Sequence, residues 1–557
     1  TRSYEAGSEP AAASFKAYFN VPAATYGKLS VVITTEGHTA SFDLTDGIEL
    51  LAGELAYTTK AVSGWTALEP ELSVTWETNP TFEPVEITND MKGKCNIVIN
   101  APAGIKAFTV SMLSDYLNND IGLTELDLLN PQGLETIFDM LNFPYGEKIL
   151  NQKTVPFDLT NAVALLEGKS GQHIFTMNVT DNNNKTINQD ITFFVPEAIS
   201  ATVSDIDLWK NTATITLNNA PEGATVQYKR STESEWKNTT KNPNGTFSIT
   251  PSWITEENDA GKTVYSLDNN CGVFAGATYD WQILNGEAVV ASGTFETSAG
   301  DPIENGDMSQ WCETKEMLPL FGSKKITVWY PGSSWSDSTP GFWDSSNNAG
   351  NKTACTQDKT KNASCAWLQA SGVSLVGALA SGSLFTGTFT YANMNGTASF
   401  GQKYKYTARP TALRLKYHAT LGTVNYNKHN GPLEKDKDIM DQCSFTVCIV
   451  DWDTRHDVQS GTSAPKGIWD PITMGELPVD KQNGIIGYGV KYSSENTPGT
   501  DLIPLEIPIK YYQQTNAAPD GENKFTIIIS VSTSRYGDYL NGCDKNKIYV
   551  DDFEWVY

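Results

Sequence analysis

The chain has 557 residues, 39% hydrophobic and 19% charged, with 65 acidic against 40 basic side chains and a net charge of −25. That length exceeds what one core can organise and fits about three to five domains. The acidic balance disfavours nucleic acid and anionic membrane surfaces as partners, since both require basic patches, whereas a neutral polysaccharide or oligosaccharide is not repelled.

The first ten residues are polar and contain no signal peptide, which predicts a mature or truncated form with a tether before the first folded unit. No apolar run reaches the ~18 residues that a spanning helix needs. Abundant Thr, Ser, Asn and Gly favour extracellular β-sheet domains. Residues 15–19, with Phe15, Tyr18 and Phe19, and residues 29–35 read as short strands. Glu36, Gly37 and His38 supply a turn before residues 40–44, and His38 at its tip is read as a solvated loop histidine. This N-terminal β module covers 1–80.

A second module, 81–197, mixes β-sheet with short helices. Strands at 95–99 and 105–110 precede a helix opened by Asn130 and Pro131, with Leu134, Ile137, Phe138 and Leu141 on one face. A second helical piece covers 160–167. A hairpin of 174–181 and 190–195 turns at Asn182, Asn183 and Asn184.

In 198–298, runs at 213–217 and 225–229 are followed by Trp236, then by Tyr279 and Trp281 in a late strand and by a final edge at 289–297. Short strands at this spacing resemble a fibronectin type III sandwich, which implies a spacer or adhesive module. The last segment, 299–557, alternates β runs with Gly, Asn, Ser and Pro loops, as at 385–391, 413–417, 444–450 and 525–531. Arg414 and Leu415 point to opposite faces, as do Phe445 and Thr446, so each sheet has one buried side. The expected fold class is therefore mainly all-β and multi-domain. A two-sheet jelly roll of lectin or carbohydrate-binding type follows β-sandwich modules, one of which carries short helices.

Eight of the fourteen tryptophans fall in 305–557. Trp343 with Asp344 and Asn347 forms the leading binding candidate: an indole face for the C–H groups of a sugar, and paired donors and acceptors for its hydroxyls. Trp335, in a Gly–Ser loop, supplies the opposite wall. Core packing is the competing role for both indoles. Tyr536 and Asp538, in an aromatic–glycine turn, make another polar cluster. Asp451 and Asp453 follow a strand and flank Trp452, so they share a face and offer the two carboxylates that glycoside hydrolysis needs about 5–10 Å apart. A solvated loop with Arg455 balancing its charge is the alternative. Arg409 before Pro410 reads as structural, holding a carboxylate between sheets. Of eight cysteines none forms a CxxC pair, which argues against zinc or redox motifs. Cys355 and Cys365 could close a loop, and Cys95 and Cys271 read equally as isolated thiols. His418, His429 and His456 have no G-x-S-x-G partner, and there is no phosphate loop or dinucleotide fingerprint.

Several stretches of the last segment also resemble, in order, one family. They are Gly341-Phe342-Trp343-Asp344-Ser345-Ser346-Asn347-Asn348, Ser383-Leu384-Phe385-Thr386-Gly387, Ala408-Arg409-Pro410, Ile486-Gly487-Tyr488-Gly489, Pro508-Ile509-Lys510-Tyr511, Ser534-Arg535-Tyr536-Gly537-Asp538-Tyr539 and Ile548-Tyr549-Val550-Asp551-Asp552-Phe553. The family is the "putative carbohydrate metabolism domain" of surface lipoproteins of gut Bacteroidetes. The resemblance spans nearly all of 299–557. It implies a jelly roll behind an immunoglobulin-like module, and a place outside the cell, at the outer-membrane surface or facing the periplasm. The membrane would be held only through a lipid anchor outside the given chain. It also implies a role in glycan use without a settled reaction. Carbohydrate-binding jelly rolls further imply a structural calcium bound by a C-terminal Asp pair alongside the first strand, here Asp551-Asp552 beside Asn305 to Asp307, with Asp552 and Asp307 as its ligands. The glutamate those modules carry in the first strand is missing here, and an Asp that merely caps a turn is the alternative.

Three functions follow. The first is a surface glycan-binding lipoprotein for carbohydrate acquisition, with the jelly roll as ligand domain. The second is a glycoside hydrolase using Asp451 and Asp453. The third is a structural or adhesive surface protein whose tryptophans are core.

Overall fold

Runs of β-branched and aromatic residues cut by Gly, Asn and Pro turns pair as β ladders through most of the chain, and the helices are short, such as Glu135–Leu141 and Thr160–Ala164. The computed structural model describes residues 22–35, 37–53, 60–75, 82–87, 96–268, 271–317, 326–336, 339–349, 354–373 and 376–557. The strand expected at Phe15, Tyr18 and Phe19, the turn residue Glu36, and Cys95 lie outside the described residues. The architecture is all-β, in two compact units, Thr1–Ala198 and Ile199–Tyr557. No helix of the described residues is long and apolar enough to cross a membrane.

In the first unit, Ala24–Thr35 pairs with His38–Leu50, and Asn96–Asn100 lies between Glu71–Thr75 and Thr154–Asp158. A five-stranded sheet centres on Gly171–Asp181, paired with Thr186–Val195 and Ile105–Leu113. Its hairpin turns where sequence placed it. Asn184 adopts φ 58°, and the Asp181 carboxylate accepts the Asn183 and Lys185 N–H groups at 2.8 and 2.9 Å. Ile97, Ile99, Phe108, Phe157, Val179 and Phe193 form the core, and the helix adds Phe138 and Leu141 to the buried side while Ile137 faces water.

The second unit opens with a sandwich of two four-stranded sheets. Ile215, Val226, Tyr228 and Phe247 fill it, and the buried Tyr279 hydroxyl accepts the Phe274 N–H at 2.8 Å. One hairpin leaves it: β1 (Trp253–Glu257) and β2 (Thr263–Leu267). The jelly roll then supplies β3 (Cys365–Gln369), β4 (Ser383–Ala392), β5 (Asn395–Phe400), β6 (Ala412–Thr420), β7 (Cys443–Trp452) and β8 (His456–Gly461). It continues with β9 (Ile485–Ser493), β10 (Ile503–Pro508), β11 (Lys510–Tyr511), β12 (Phe525–Ser532) and β13 (Lys547–Val556). The larger sheet runs β1-β2-β11-β9-β7-β12-β4-β5-β8, so the hairpin of the first sandwich extends it. The smaller sheet places β3, β13, β6 and β10 side by side.

Between the sheets, Phe445, Val447 and Ile449 of β7 and Ile527, Ile529 and Val531 of β12 meet Leu413 and Leu415 of β6 and Ile548 and Val550 of β13. This is the one-sided burial expected from the alternation in β6 and β7. Arg409 lies in the same unit, 1% exposed. Its guanidinium carbon sits 4.7, 5.2 and 5.0 Å from the rings of Trp209, Trp253 and Tyr511, and its Nε donates to the Trp209 carbonyl at 2.7 Å. It is structural, as expected, but it holds carbonyls and aromatic faces rather than a carboxylate. The seven described cysteines are all free, Cys355 and Cys365 included.

Candidate functional site

The leading sequence candidates are core residues, and the open indole platform is corrected. Trp343 is 0% and Trp335 8% exposed. Residues Trp343–Asp344 form a short strand against β4, pairing with Thr386 and Phe385, so the Trp343 ring enters the sandwich 5.0 Å from Phe553. Trp335 stacks on Tyr330 at 4.0 Å with its ring nearly parallel. Asp344 accepts the Phe389 and Ser345 N–H groups, each at 2.8 Å, and burial pushes its pKa up to about 7. Asn347 donates to the carbonyls of Trp329 (2.8 Å) and Cys355 (2.6 Å) and accepts the Cys355 N–H at 3.0 Å. Its amide is thus committed to the backbone. Flanking Gly and Ser let this segment turn inward, a geometry that resembles an exposed loop in sequence.

Asp451 and Asp453 do come together, with Trp452 buried on the opposite side. The Lys524 ammonium stands 3.1 Å from Asp451 and 3.8 Å from Asp453. It fills the space between the carboxylates that a water or glycosidic oxygen would need. Arg455, expected to balance them, instead donates to the Gly401 carbonyl at 2.9 Å and to Gln402 Oε1 at 3.1 Å.

The two ends of the jelly roll also meet. Phe553 N–H donates to the Gly306 carbonyl at 2.8 Å, so close that a Cβ on Gly306 would lie 2.3 Å from the Phe553 oxygen. Here Asp307 and Asp552 face a groove of about 640 Å³ with Asn305, Gln310, Lys416 and Glu554. Asp552 pairs with Lys416 at 2.7 Å, and Asp307 accepts the Ser309 N–H and hydroxyl at 3.2 and 2.9 Å. Arg414 bridges Glu506 and Glu554 at 3.0 and 3.1 Å. Among the described residues no three His, Cys, Asp or Glu side chains gather as metal ligands. Lys416 already neutralises Asp552, and Arg414 neutralises Glu554, along this groove.

The outer face of the larger sheet is different. In β7 the burial pattern alternates from Cys443 to Val447, then runs continuously buried from Val447 to Val450. The change marks where residues 462–484 fold over the sheet: Met474, Leu477 and Trp469 cover Cys448, Val450, Trp452, Tyr488 and Ile528. Beyond that cover, register places Tyr492, Ser444, Ser532 and Ser383 in one row and Val490, Thr446, Ser530 and Phe385 in the next. All but Phe385 are half-buried rather than sealed. Among the described residues the hydroxyls of Ser444, Thr446 and Ser530 make no hydrogen bond to protein. A row of unengaged hydroxyls on a rigid sheet is a surface prepared for polar ligand groups.

Aromatic groups border this strip. Tyr391 of β4 stands on the same face by alternation, and β8, two strands further along the sheet, packs against the turn Gly537–Tyr539, giving the strip a trough-like wall. A Cβ on Gly537 would strike Ser381 at 2.8 Å, so this turn lies directly over the end of the strip. Asp441 fixes it from beneath, accepting from Ser534 Oγ (2.6 Å), Cys543 N–H (2.8 Å) and Asn546 Nδ2 (2.6 Å). Thus held, Arg535 lays its guanidinium carbon 3.6 Å from the Tyr492 ring centre and 5.0 Å from that of Tyr536. Burial pushes the Tyr492 hydroxyl up to about 12, with nearby Arg535 lowering it and Asp470 raising it. Asp538 is exposed at the tip of this turn.

Of the sequence candidates, Tyr536 and Asp538 thus lie at this trough, while Trp335, Trp343, Asp344 and Asn347 do not. Sequence reading missed Tyr492, Arg535 and the hydroxyl strip. Their signal was present as small polar residues alternating with apolar ones in Cys443-Ser444-Phe445-Thr446-Val447 and Ile529-Ser530-Val531-Ser532.

Residues 295–556 match the family "Putative carbohydrate metabolism domain". The trough, the covering segment and strands β3 to β13 lie inside the matched domain. No curated protein matches the chain. Among solved structures, a "putative glycoside hydrolase" from Bacteroides thetaiotaomicron is similar at 14% identity, covering 61% of this chain and 98% of its own, with TM-score 0.29. A second one, from Bacteroides vulgatus, gives 15% identity, 44% and 97% coverage and TM-score 0.28. A carbohydrate-binding module of the β-sandwich superfamily gives 8% identity, 88% and 99% coverage and TM-score 0.14. Superpositions this loose carry no activity across.

Proposed function

We propose that the jelly roll binds a glycan in the trough on its larger sheet, and that the protein serves carbohydrate acquisition at a bacterial cell surface. One observation carries the reading: a strip of protein-free hydroxyls at Ser444, Thr446 and Ser530 bordered by the rings of Tyr492 and Tyr536, which flank Arg535. Sugars present the same pairing, apolar C–H faces with hydroxyl edges. The family match over residues 295–556 supports a carbohydrate ligand. The low charged fraction and the abundance of Thr, Ser, Asn and Gly suit an extracellular place.

A glycan array with the full chain and its Tyr492→Ala variant tests this. Retention of one glycan class by the parent, lost in the variant at unchanged melting temperature, is expected. Equal retention by both moves the site elsewhere. Hydrolysis is the second reading, with the exposed carboxylate of Asp538 at the trough as its candidate acid. Reducing-sugar release that survives Asp538→Asn would remove that role.

A further inference from the structure

We infer that the glycan is acidic: a sugar carboxylate of the uronic acid class docks on Arg535. This rests on the trough being the sugar site, and it adds the charge of the ligand. Arg535 has five N–H donors, and its side chain gives one hydrogen bond to protein, from Nη1 to Gln442 Oε1 at 3.2 Å. Among the described residues it forms no ion pair, although acidic side chains outnumber basic ones 65 to 40. Arg414 shows what such surroundings ordinarily do to an arginine, which is to bind it to two glutamates.

The nearby acids are turned away or uncoupled. Asp470 receives the Ile472 and Thr473 N–H groups at 2.8 and 2.9 Å and the Thr473 hydroxyl at 2.6 Å, closing its own turn. Asp538, three residues on from Arg535, makes no ion pair with it.

Tyr492 and Tyr536 hold the guanidinium by its faces, at 3.6 and 5.0 Å, and leave its edge for a ligand. A guanidinium edge offers parallel donors at the spacing of a planar carboxylate, which Lys could not reproduce. The net charge of −25 gives the molecule no general attraction for polyanions, so recognition of an acidic chain has to be local. An adjacent sugar ring would then lie along the Ser444, Thr446 and Ser530 hydroxyls.

The test is calorimetric binding of tetragalacturonate and tetramannuronate, each beside its carboxyl-reduced neutral counterpart, to the full chain and to Arg535→Gln and Arg535→Lys. The expected result is roughly tenfold or greater preference for at least one acidic oligosaccharide over its reduced form. Both variants should lose that preference and bind the acidic and the reduced form alike. Arg535→Lys retains the charge and guards against a folding defect in the other variant. Equal binding of acidic and reduced forms, or a preference that persists in both variants, overturns the inference and leaves the sugar site standing. Binding of neither form, with neutral glycans still retained on the array, also overturns it. No glycan bound at all removes the trough reading itself.

Discussion

The Trp343 indole N–H donates to the Glu304 carbonyl across 2.7 Å, tying the segment that enters the jelly roll to its inter-sheet core. With Phe342 at 5.6 Å and Phe553 at 5.0 Å, the ring joins the first residues of the domain to its last strand. That is a closing contact between chain ends distant in sequence, and it makes the indole a structural part rather than a ligand platform.

Trp343→Ala should therefore act on stability. Removing a fully buried indole leaves a cavity, and a loss of about 3–5 kcal/mol is expected. Denaturant unfolding of the full chain, followed by the transition of the second unit, measures it. A change below ~1 kcal/mol would mean that the ring is not packed as described.

Strand existence and sheet sidedness were legible because alternation has a direct physical cause. Arg414 and Leu415, or Phe445 and Thr446, cannot share a face. The helix at Leu134, Phe138 and Leu141 was legible for the same reason, through its longer period. What sequence could not show was which outer face another segment covers. Cys448, Val450 and Ile528 are buried only because residues 462–484 fold over them, and Ser444 and Ser530 stay open only because that cover stops short. Trp343 failed as a surface candidate for a related reason: Gly and Ser neighbours permit an inward turn as readily as an exposed loop. Asp451 lies at the end of its strand and Asp453 in the bend beyond it, and Lys524, 73 residues from Asp451 in sequence, reaches both carboxylates.

Tyr492 offers the opposite test, acting on ligand rather than fold. It is half-buried at the trough edge and carries Arg535 on its face. Tyr492→Ala should weaken binding of an array-identified glycan about tenfold, from lost stacking and a released guanidinium. Tyr492→Phe keeps the ring and should stay within roughly threefold of the parent, since only the hydroxyl is lost. If Phe proves as damaging as Ala, the hydroxyl beside Asp470 matters more than the ring face.

Arg409 joins the upstream sandwich to the jelly roll. Trp209 and Trp253 come from the first, Tyr511 and Asn516 from the second, and the guanidinium contacts all four. Burial lowers its pKa, yet it stays charged among ring faces and carbonyls. Arg409→Ala should cost roughly 3 kcal/mol by orphaning those carbonyls and opening the cluster. Scanning calorimetry should then resolve the two sandwiches of the second unit as separate transitions where the parent shows one. An undivided transition at the parent temperature would mean that the β1–β2 hairpin alone couples them.

Asp344 gives the stability a pH dependence with a definite sign. Its pKa is about 7 in the fold against 3.8 ordinarily, because burial outweighs the N–H groups that favour its charged form. Between about pH 4 and pH 7 the folded chain holds a proton that the unfolded chain has released. The stabilisation is complete below pH 4 and disappears as pH rises through 7. Asp551, lifted to about 6 by burial, acts in the same direction. His418 and His456 oppose it, since burial lowers their pKa values and their neutral folded forms gain stability as pH rises. The difference between the parent and Asp344→Asn isolates the one group. From pH 5 to pH 8 the unfolding free energy of the parent should fall about 2–3 kcal/mol more than that of the variant. Parallel pH profiles would mean that Asp344 stays ionised in the core, its charge met by the Phe389 and Ser345 N–H groups and by Arg455.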